Sequence, residues 1–345
     1  MKLTKSFQFK QTILVNLLFI VFVLLLLGCN SASSAATETA PPTQVNIQLS
    51  WIDTIEYSGF YMAEEKGYFA AENLAVTLNT YDFDKPLEPI DQVAAGKAQF
   101  GTATAGGVLL ARTEGKPVVA VATIYQRNPS VLISLAEKNI TRPQDLAGKK
   151  VMIDTASPDS VVYMAMMASQ KELDPAQVIV VPRTDFSNDL LIKGEVDVID
   201  AYINNQPVQL EKEGYKINML IPANYGIDMY ANVIITSEEM IAKNPDLVES
   251  FVRAMVRGIQ SAIDDPKGAT TLTAARNKEI NFESELESMN RSLPLFNPVG
   301  SHPGTMTPEV WASVQQMMLD RGLLKESLEV EKAYTLTFLD KVYSK

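Results

Sequence analysis

Aromatic and carboxamide side chains recur in the polar turns of this sequence, and together they suit a flat, uncharged heterocycle. Ring stacking adds about 0.5–1.5 kcal/mol beyond the burial of apolar area, and an amide offers a donor and an acceptor to a ring edge. Hydroxyl and carboxyl groups in the same turns could bind polar edges. The candidate binding residues are Trp51, Glu56, Tyr57, Tyr61, Thr104, Tyr125, Asn128, Ser157, Asp159, Asp200, Tyr202, Asn204, Asn205, Tyr225 and Tyr230.

Structural roles compete with binding for several of these residues. Tyr57 and Tyr61 lie at spacings that equally suit the buried face of a helix. Ser157 and Asp159 are explained by helix capping alone. Residues 225–232 could equally form a hinge between two lobes.

An oxyanion ligand would leave a different pattern of charge. It needs a cation or several N–H donors, because charge-assisted hydrogen bonds hold it. Among the polar turns only the elbow at residues 125–130 carries a cation, Arg127, and that residue could pair with Asp228 instead. The turns therefore favour a neutral ring.

Catalysis and metal binding are disfavoured by the histidine and cysteine content. His302 is the only histidine and Cys29 the only cysteine. A Cys/His zinc site is therefore excluded, and a Ser–His nucleophile pair would depend on one residue of a proline-rich loop. The glycine-rich stretch 100–107 lacks the GK[ST] ending of a phosphate loop. We expect a protein that is not an enzyme and holds neither cofactor nor metal.

The negative net charge of the chain limits the classes of partner that it is expected to bind. The formal net charge is −11, from 30 Lys and Arg against 41 Asp and Glu. Without the three lysines of residues 1–28 the balance becomes 27 − 41 = −14. Nucleic acids and anionic membrane surfaces both reward clustered basic residues, so neither is an expected partner.

The first 44 residues predict export and attachment rather than a packed domain. Basic residues precede the apolar run 13–27, which ends at Gly28 and Cys29, as in a secretory signal. The Leu-Leu-Gly-Cys sequence resembles the lipobox of bacterial lipoproteins, which implies that Cys29 carries lipid and begins the mature chain. An uncleaved signal anchor is the alternative. Residues 29–44 are small and polar, which predicts a flexible tether.

Alternating strands and helices must position the candidate residues. An alternating apolar run at 45–49 predicts a strand that is followed by a helix within residues 51–74. The glycine-rich stretch 100–107 predicts a turn. Strand–helix order continues to about residue 199 and predicts parallel α/β lobes, whose ligands lie beyond the carboxyl ends of strands. Residues 125–130 and the strand 233–236 suggest two crossings between lobes. The remainder reads as helices, at 237–243, 245–264, 311–321 and 330–343, with a loop at 293–308.

Five segments, taken in order, carry a resemblance over residues 45–345. They are LSWIDTIEYSGFYMAEEKGYFAAENLAV, DQVAAGKAQFG, GKPVVAVA, DLAGKKV and LIKGEVDV. The chain resembles the bacterial solute-binding lipoproteins related to thiamine-pyrimidine synthase, which are similar to sulfonate, nitrate and taurine binders. The resemblance implies an α/β, two-lobed periplasmic-binding-protein fold of type II with ligand in the interlobe cleft. The implied lobes are residues 45–132 plus 235–345, and 133–234. It further implies a monomer on the extracytoplasmic side of the membrane that delivers a small molecule to the permease and ATPase of an ABC importer.

The resemblance also bears on the ligand. Relatives that bind the thiamine pyrimidine carry Asn-His-Glu where this chain has Asn204, Asn205 and Gln206, and Gln206 lacks the acid that suits an amidine-like edge. The resemblance includes riboflavin binders, and amides suit the alternating carbonyl and N–H groups of an isoalloxazine. Riboflavin is therefore the first expectation, a formylaminopyrimidine-type thiamine precursor the second, and a sulfonate or nitrate anion the third. A lipoprotein that senses its ligand without transport is a further alternative.

Overall fold

The computed structural model describes residues 41–183 and 185–344, and its strands alternate with helices as far as residue 220. The strands are β1 Thr43–Gln48, β2 Leu74–Asn79, β3 Phe100–Ala103, β4 Val118–Thr123, β5 Ser130–Leu135, β6 Lys150–Ile153, β7 Ile179–Pro182, β8 Val198–Tyr202, β9 Ile217–Leu220 and β10 Val233–Ser237.

Helices cover the sheets and make up most of the chain after β10. They are α1 Ser58–Glu65, α2 Tyr68–Ala71, α3 Pro89–Ala94, α4 Ala105–Thr113, α5 Val161–Ser169, α6 Asp189–Ile192, α7 Gln206–Lys212, α8 Glu238–Lys243, α9 Pro245–Asp264, α10 Pro266–Arg276, α11 Phe282–Phe296, α12 Pro308–Asp320 and α13 Thr337–Tyr343. Short 3₁₀ helices include Ile55–Tyr57, Pro158–Ser160 and Pro222–Tyr225. Within the described ranges no helix is both long and apolar enough to span a bilayer.

The strands form two five-stranded sheets. The first sheet has the order β2-β1-β3-β10-β4 and the second the order β7-β6-β8-β5-β9. In the first, β1 is parallel to β2 and β3 while β10 is antiparallel to β3 and β4. In the second, β6 is parallel to β7 and β8 while β5 is antiparallel to β8 and β9. The α/β prediction is confirmed, and parallel pairing holds for β1 with β2 and β3 and for β6 with β7 and β8. The antiparallel pairs all involve β5 or β10, because each of these strands arrives from the other sheet.

Two connections join the sheets. The chain leaves the first sheet after β4 and enters the second at β5, and it returns between β9 and β10. The connecting residues are therefore 124–129 and 221–232. The lobe boundaries predicted at 132/133 and 234/235 fall inside β5 and β10, a few residues beyond these connectors.

The core follows from the alternation of apolar residues. In β5, Leu132 packs into the large cluster shared with the first sheet, while Val131 and Ile133 pack into a smaller cluster on the opposite face. A strand covered on both faces has consecutive apolar residues, as β5 does at Val131, Leu132 and Ile133. On the first sheet, Phe251 of α9 stacks on Phe100 of β3 with ring centroids 3.8 Å apart.

Two local expectations were wrong. The stretch 100–107 is not a turn: it forms β3 and the first residues of α4, and the hydroxyl of Thr104 caps that helix by accepting from the Gly107 N–H at 3.0 Å. The predicted loop 293–308 begins as helix, because α11 continues through Pro294 to Phe296. Proline removes one hydrogen bond to the carbonyl four residues earlier. That residue is Asn290, which lies at an exposed position where water can replace the lost donor.

Candidate functional site

A cavity of about 330 Å³ lies where segments of both sheets meet. It is lined by Ser50, Trp51, Thr54, Ile55, Glu56, Thr104, Ser130, Asp154, Ser157, Asp159, Ser160, Tyr163, Arg183, Phe186, Asp200, Ala201, Tyr202, Asn204, Asn205, Gln206, Asn232, Glu285 and Ser288. Many of these residues directly follow β1, β3, β6, β7 or β8. The cavity is therefore at the strand ends where an α/β fold places its ligand.

Nine of the fifteen sequence-predicted binding residues line this cavity. They are Trp51, Glu56, Thr104, Ser157, Asp159, Asp200, Tyr202, Asn204 and Asn205. The remaining six, Tyr57, Tyr61, Tyr125, Asn128, Tyr225 and Tyr230, are absent from its lining.

The two tyrosines after Trp51 belong to the core. Tyr57 is fully buried, and its hydroxyl lies 3.1 Å from the hydroxyl of Ser50. Tyr61 donates to the Asp53 carboxylate at 2.6 Å, and the guanidinium of Arg276 lies 4.5 Å from its ring centroid. The helical spacing of these residues therefore marks a buried helix face.

The other four residues hold the connecting segments in place. Asn128 accepts a hydrogen bond from the Ser130 N–H at 2.7 Å, and the Tyr230 hydroxyl accepts one from the Thr307 N–H at 2.8 Å. Tyr225 ends a 3₁₀ helix and packs partly buried against the core. These three residues and Tyr125 all lie within the two connections between the sheets, 124–129 and 221–232.

Tyr125 acts one layer behind the cavity wall by orienting Asn204. The Asn204 Nδ2 donates to the Tyr125 hydroxyl at 3.0 Å and to the Ser292 hydroxyl at 2.8 Å. Ser292 donates its own proton to the Ser288 carbonyl at 2.8 Å, so toward Asn204 it can only accept. The amide is thereby fixed with Oδ1 as its unpaired end, and this oxygen is buried without a partner among the described residues.

A buried carboxyl, Glu56, occupies the wall formed by the first sheet. Glu56 accepts from the Asn232 Nδ2 at 3.1 Å, and burial raises its pKa to about 7, with a smaller contribution from the nearby Glu285. Glu285 accepts from the Ile55 N–H at 2.7 Å, and burial raises its pKa as well. Glu285 and Ser288 of α11 were not anticipated, because no helix was predicted at these residues; on the observed helix their spacing of three residues puts them on one face.

Asp159 faces the same cavity from the second sheet's side. The pKa of Asp159 is raised to about 7, mainly by burial. The charge of Asp154 adds to this rise, whereas a hydrogen bond with the Thr104 hydroxyl opposes it. The Asp159 Oδ1 is buried without a hydrogen-bond partner within the described ranges. Ser157 accepts from the Asp159 N–H at 3.2 Å, so the capping role expected for Ser157 is present beside the cavity.

Arg183 is a cavity residue that sequence reasoning missed. Its guanidinium pairs with the Asp200 carboxylate, and its side chain is only 2% exposed. Nε donates to the Asp185 carbonyl at 2.7 Å, while Nη2 finds no acceptor in the described part of the chain. Its position directly after β7 was the available signal, since residues at the carboxyl ends of strands are the ones that meet at a ligand site.

Aromatic rings close one side of the cavity. Trp51 lies edge-on between Phe83 and Phe186, with ring centroids 5.3 Å and 5.4 Å away. Phe83 follows β2 of the first sheet, whereas Phe186 follows β7 of the second. The Trp51–Phe186 contact therefore joins segments from the two sheets at the edge of the cavity.

Metal chemistry gains no support from the described residues. Within 41–183 and 185–344, no group of three or more His, Cys, Asp or Glu side chains is arranged to hold a metal ion. The ring of His302 stacks on Tyr343 with centroids 4.6 Å apart, and His302 does not line the cavity. Cys29, the predicted lipid site, lies outside the described residues, as do the predicted signal peptide and most of the tether.

The sequence is similar to proteins that bind small molecules and to one group of enzymes. It is 29% identical to the riboflavin-binding protein RibY of Chloroflexus aurantiacus, over 93% of this chain and 96% of that protein. It is 26% identical to the formylaminopyrimidine-binding protein of Halalkalibacterium halodurans, over 93% and 98%. It is also 24% identical to the 4-amino-5-hydroxymethyl-2-methylpyrimidine phosphate synthase of Legionella pneumophila, over 88% and 94%.

Structural similarity and a family profile complete the assignment. The fold matches the aliphatic sulphonate-binding protein SsuA of Escherichia coli with a TM-score of 0.67 and 14% identity, over 85% of this chain and 92% of that one. This match confirms the type II periplasmic-binding-protein fold. The profile of the family described as NMT1/THI5 like matches residues 54–269. With that match covering more than half of the sequence, the chain belongs to the NMT1/THI5-like family.

Proposed function

We propose that this protein is the substrate-binding component of an ABC importer and that it captures a neutral heteroaromatic vitamin, with riboflavin as the first candidate. The observation that carries the proposal is the cavity, where Trp51 and Tyr202 border the same space as the amides Asn204 and Gln206. Similarity to a riboflavin-binding relative along almost the whole chain supports the same ligand.

The cavity volume suits a ligand larger than a single ring. Pockets that bury drug-sized ligands have volumes of roughly 300–1,000 Å³. A cavity of about 330 Å³ reaches the lower end of that range. A fused tricycle would fill it better than one pyrimidine, and unfilled volume forfeits contacts.

The orientation of Gln206 also favours riboflavin. Its Oε1 accepts from the Tyr202 N–H at 3.2 Å, which leaves the amide nitrogen as the end that can serve a ligand. A donor there suits a ring carbonyl, such as those that flank the imide N–H of an isoalloxazine. An aminopyrimidine could meet this donor only through a ring nitrogen, because its exocyclic amino group would face the amide nitrogen as a second donor.

A thiamine pyrimidine precursor is the second candidate, and one observation favours it. The carboxyls of Glu56 and Asp159 line the cavity and could accept the N–H groups of an aminopyrimidine, replacing the acid that Gln206 lacks. Similarity to a formylaminopyrimidine-binding relative agrees with this candidate.

A small anion is disfavoured by the charge of the lining. Arg183 is the one basic residue among the described residues that line the cavity, and it is already paired with Asp200. A sulfonate or nitrate would therefore meet carboxyls without a free cation.

Binding without turnover is the proposed mode of action. No histidine or cysteine appears among the described residues that line the cavity, so the Ser–His and Cys–His pairs of covalent catalysis are not offered there. We expect riboflavin incubated with the purified protein to be recovered unchanged. Conversion of the flavin or a pyrimidine, seen by chromatography, would indicate an enzyme instead.

Attachment through Cys29 is part of the same proposal. A diacylated cysteine holds a soluble domain at the membrane, since each buried CH₂ contributes about 0.8 kcal/mol. We expect Cys29→Ala to move the protein from the membrane fraction to the soluble fraction. Loss of riboflavin uptake on deletion would support a transport role, whereas uptake that persists would favour a sensor.

Flavin binding is tested most directly by absorbance and fluorescence. We expect the purified protein either to carry a visible flavin band or to quench riboflavin fluorescence when titrated. Ligand beside Trp51 should also quench the fluorescence of this tryptophan. The variant Trp51→Phe should therefore lose most of the quenching of tryptophan emission that riboflavin causes. Trp311→Phe should keep it, because Trp311 is fully buried and does not line the cavity. Absence of riboflavin binding together with tight retention of sulfonate or nitrate would overturn the proposal.

A further inference from the structure

Carboxyl groups surround the cavity from several different elements. Glu56 comes from the 3₁₀ helix after β1, Glu285 from α11, Asp154 from the end of β6, Asp159 from the 3₁₀ helix before α5, and Asp200 from β8. Because they arise on both sheets, a charged group placed anywhere in the cavity lies near at least one of them.

The single guanidinium in the lining does not offset this charge. Arg183 pairs with Asp200 through both the carboxylate and the backbone carbonyl, so that pair is close to neutral. The free Nη2 can still donate one hydrogen bond to a ligand carbonyl. Coulomb attraction to an anion, however, would be cancelled by the adjacent Asp200.

Two buried acceptors without partners indicate that the ligand should supply hydrogen-bond donors. Asp159 and Asn204 are each more than nine-tenths buried, and Oδ1 of each has no partner among the described residues. Buried acceptors without partners are costly, so a ligand that supplies N–H or O–H donors recovers that cost. A phosphate dianion would bring only further acceptors to these oxygens.

We propose that the cavity admits the unphosphorylated form of its ligand and excludes the phosphate ester of the same ring, with Asp159 as the main determinant. This inference rests on the proposed function. Asp159 is assigned this role because it lines the cavity, its Oδ1 has no hydrogen-bond partner among the described residues, and the charge that acts on it there is that of another acid, Asp154.

The proposal places the protein after a phosphate-ester hydrolysis when the external source is phosphorylated. Such a hydrolase adds water across the P–O bond, releases inorganic phosphate and leaves the free alcohol. The free alcohol is then the form that this cavity can bind, with its hydroxyl proton available to a buried acceptor.

The test compares riboflavin with riboflavin 5′-phosphate at pH 8, by titration of the wild type and of variants. We expect the phosphate to bind on the order of 100-fold more weakly, as like charges do at close range. Asp159→Asn should reduce that ratio about tenfold by strengthening the phosphate complex. Glu56→Gln should act in the same direction and serves as a second variant if Asp159→Asn folds poorly. Glu65→Gln, which removes an exposed carboxyl of α1 outside the lining, should leave the ratio unchanged.

The outcomes separate this inference from the proposed function. Equal binding of the two flavins, or a ratio that neither cavity variant changes, overturns the inference and leaves riboflavin capture intact. If no flavin binds, the same comparison is made with hydroxymethylpyrimidine and its phosphate, where preference for the free alcohol supports the inference. Binding of neither ring overturns both proposals.

Discussion

Two buried carboxyls determine how the charge of this cavity changes with pH. Glu56 and Asp159 are each held in a wall with few compensating charges, and burial raises the pKa of both to about 7. Their neighbours are amides and other acids rather than bases. Both residues therefore change charge close to neutral pH, where most side chains in the protein do not.

Glu56→Gln should flatten the dependence of stability on pH. Because its pKa is higher in the folded than in the unfolded chain, folding takes up a proton between about pH 4.5 and pH 7. The free energy of unfolding of the wild type therefore falls as pH rises through that window, by roughly 3 kcal/mol for this group. Urea denaturation at pH 5 and pH 8 should show a smaller fall in Glu56→Gln. An unchanged fall, equal to that of Glu65→Gln, would contradict the assignment.

Tyr125→Phe should weaken ligand binding without direct contact with the ligand. Its hydroxyl accepts from Asn204 and so holds that amide, whose free oxygen belongs to the cavity wall. Loss of one such bond costs about 1 kcal/mol, which corresponds to roughly fivefold weaker binding if the amide orientation is lost. Calorimetric titration measures this change. Tyr230→Phe is the matched control: it also removes a buried hydroxyl, bonded to Thr307, and should reduce stability but leave affinity unchanged.

Close packing between elements supports the first sheet's side of the cavity. The helix predicted at 245–264 is confirmed as α9, and it crosses α1 at two glycines. A Cβ on Gly258 would lie 2.1 Å from the carbonyl oxygen of Gly59 and 2.7 Å from the Cβ of Ala63. Because α1 directly follows the segment that carries Glu56, this contact fixes the wall as well as the core.

Gly258→Ala should destabilise the protein although alanine is the better helix former. Helix propensity favours alanine by about 1 kcal/mol, but the new methyl group would overlap backbone that cannot rotate away. We expect a net loss of roughly 1–3 kcal/mol in the free energy of unfolding, measured by urea denaturation. Ser250→Ala places the same residue elsewhere on α9 and should be nearly neutral. A stabilised Gly258→Ala variant would show that the helices can separate at small cost.

At the scale of the whole molecule, the described residues form two sheets, and a cavity lies where segments of both sheets meet. Two connections, 124–129 and 221–232, join the sheets, and the Trp51–Phe186 contact closes the edge of the cavity between them. We therefore expect a ligand that passes this edge to separate the two rings. Ligand exchange should therefore be linked to movement between the sheets.

Phe186→Ala should speed both entry and escape of riboflavin. Removing the ring eliminates a contact worth about 0.5–1.5 kcal/mol between the sheets, so association should be up to tenfold faster and dissociation faster still. Stopped-flow fluorescence measures both rates. Phe83→Ala is the control, because Phe83 meets Trp51 in similar geometry but from the same sheet. Equal effects of the two variants on association would argue against a gating role.

Local pattern accounts for much of the fold and part of the site. The strand at 45–49, the helix at 245–264 and the α/β class follow from apolar periodicity and caps, which act within a few residues. Cavity residues such as Trp51, Tyr202 and Asn204 could be anticipated because polar turns after strands converge at one edge of a sheet. Glycine-rich β3 was missed, since the pairing that stabilises it comes from β1 and β10, distant in the sequence.

What the sequence by itself determined is the class of fold, the acidic net charge, the single histidine and single cysteine, and a set of rings and amides that suit a neutral ligand. Only the tertiary structure decided which of those residues share a space. It placed Tyr57 and Tyr61 in the core, brought Arg183 and Glu285 into the cavity, and left Asp159 and Asn204 each with an oxygen that has no partner among the described residues. The physical reason is that burial and hydrogen-bond partnership also depend on segments far apart in the sequence, as for Glu56 and Asn232, which no local pattern records.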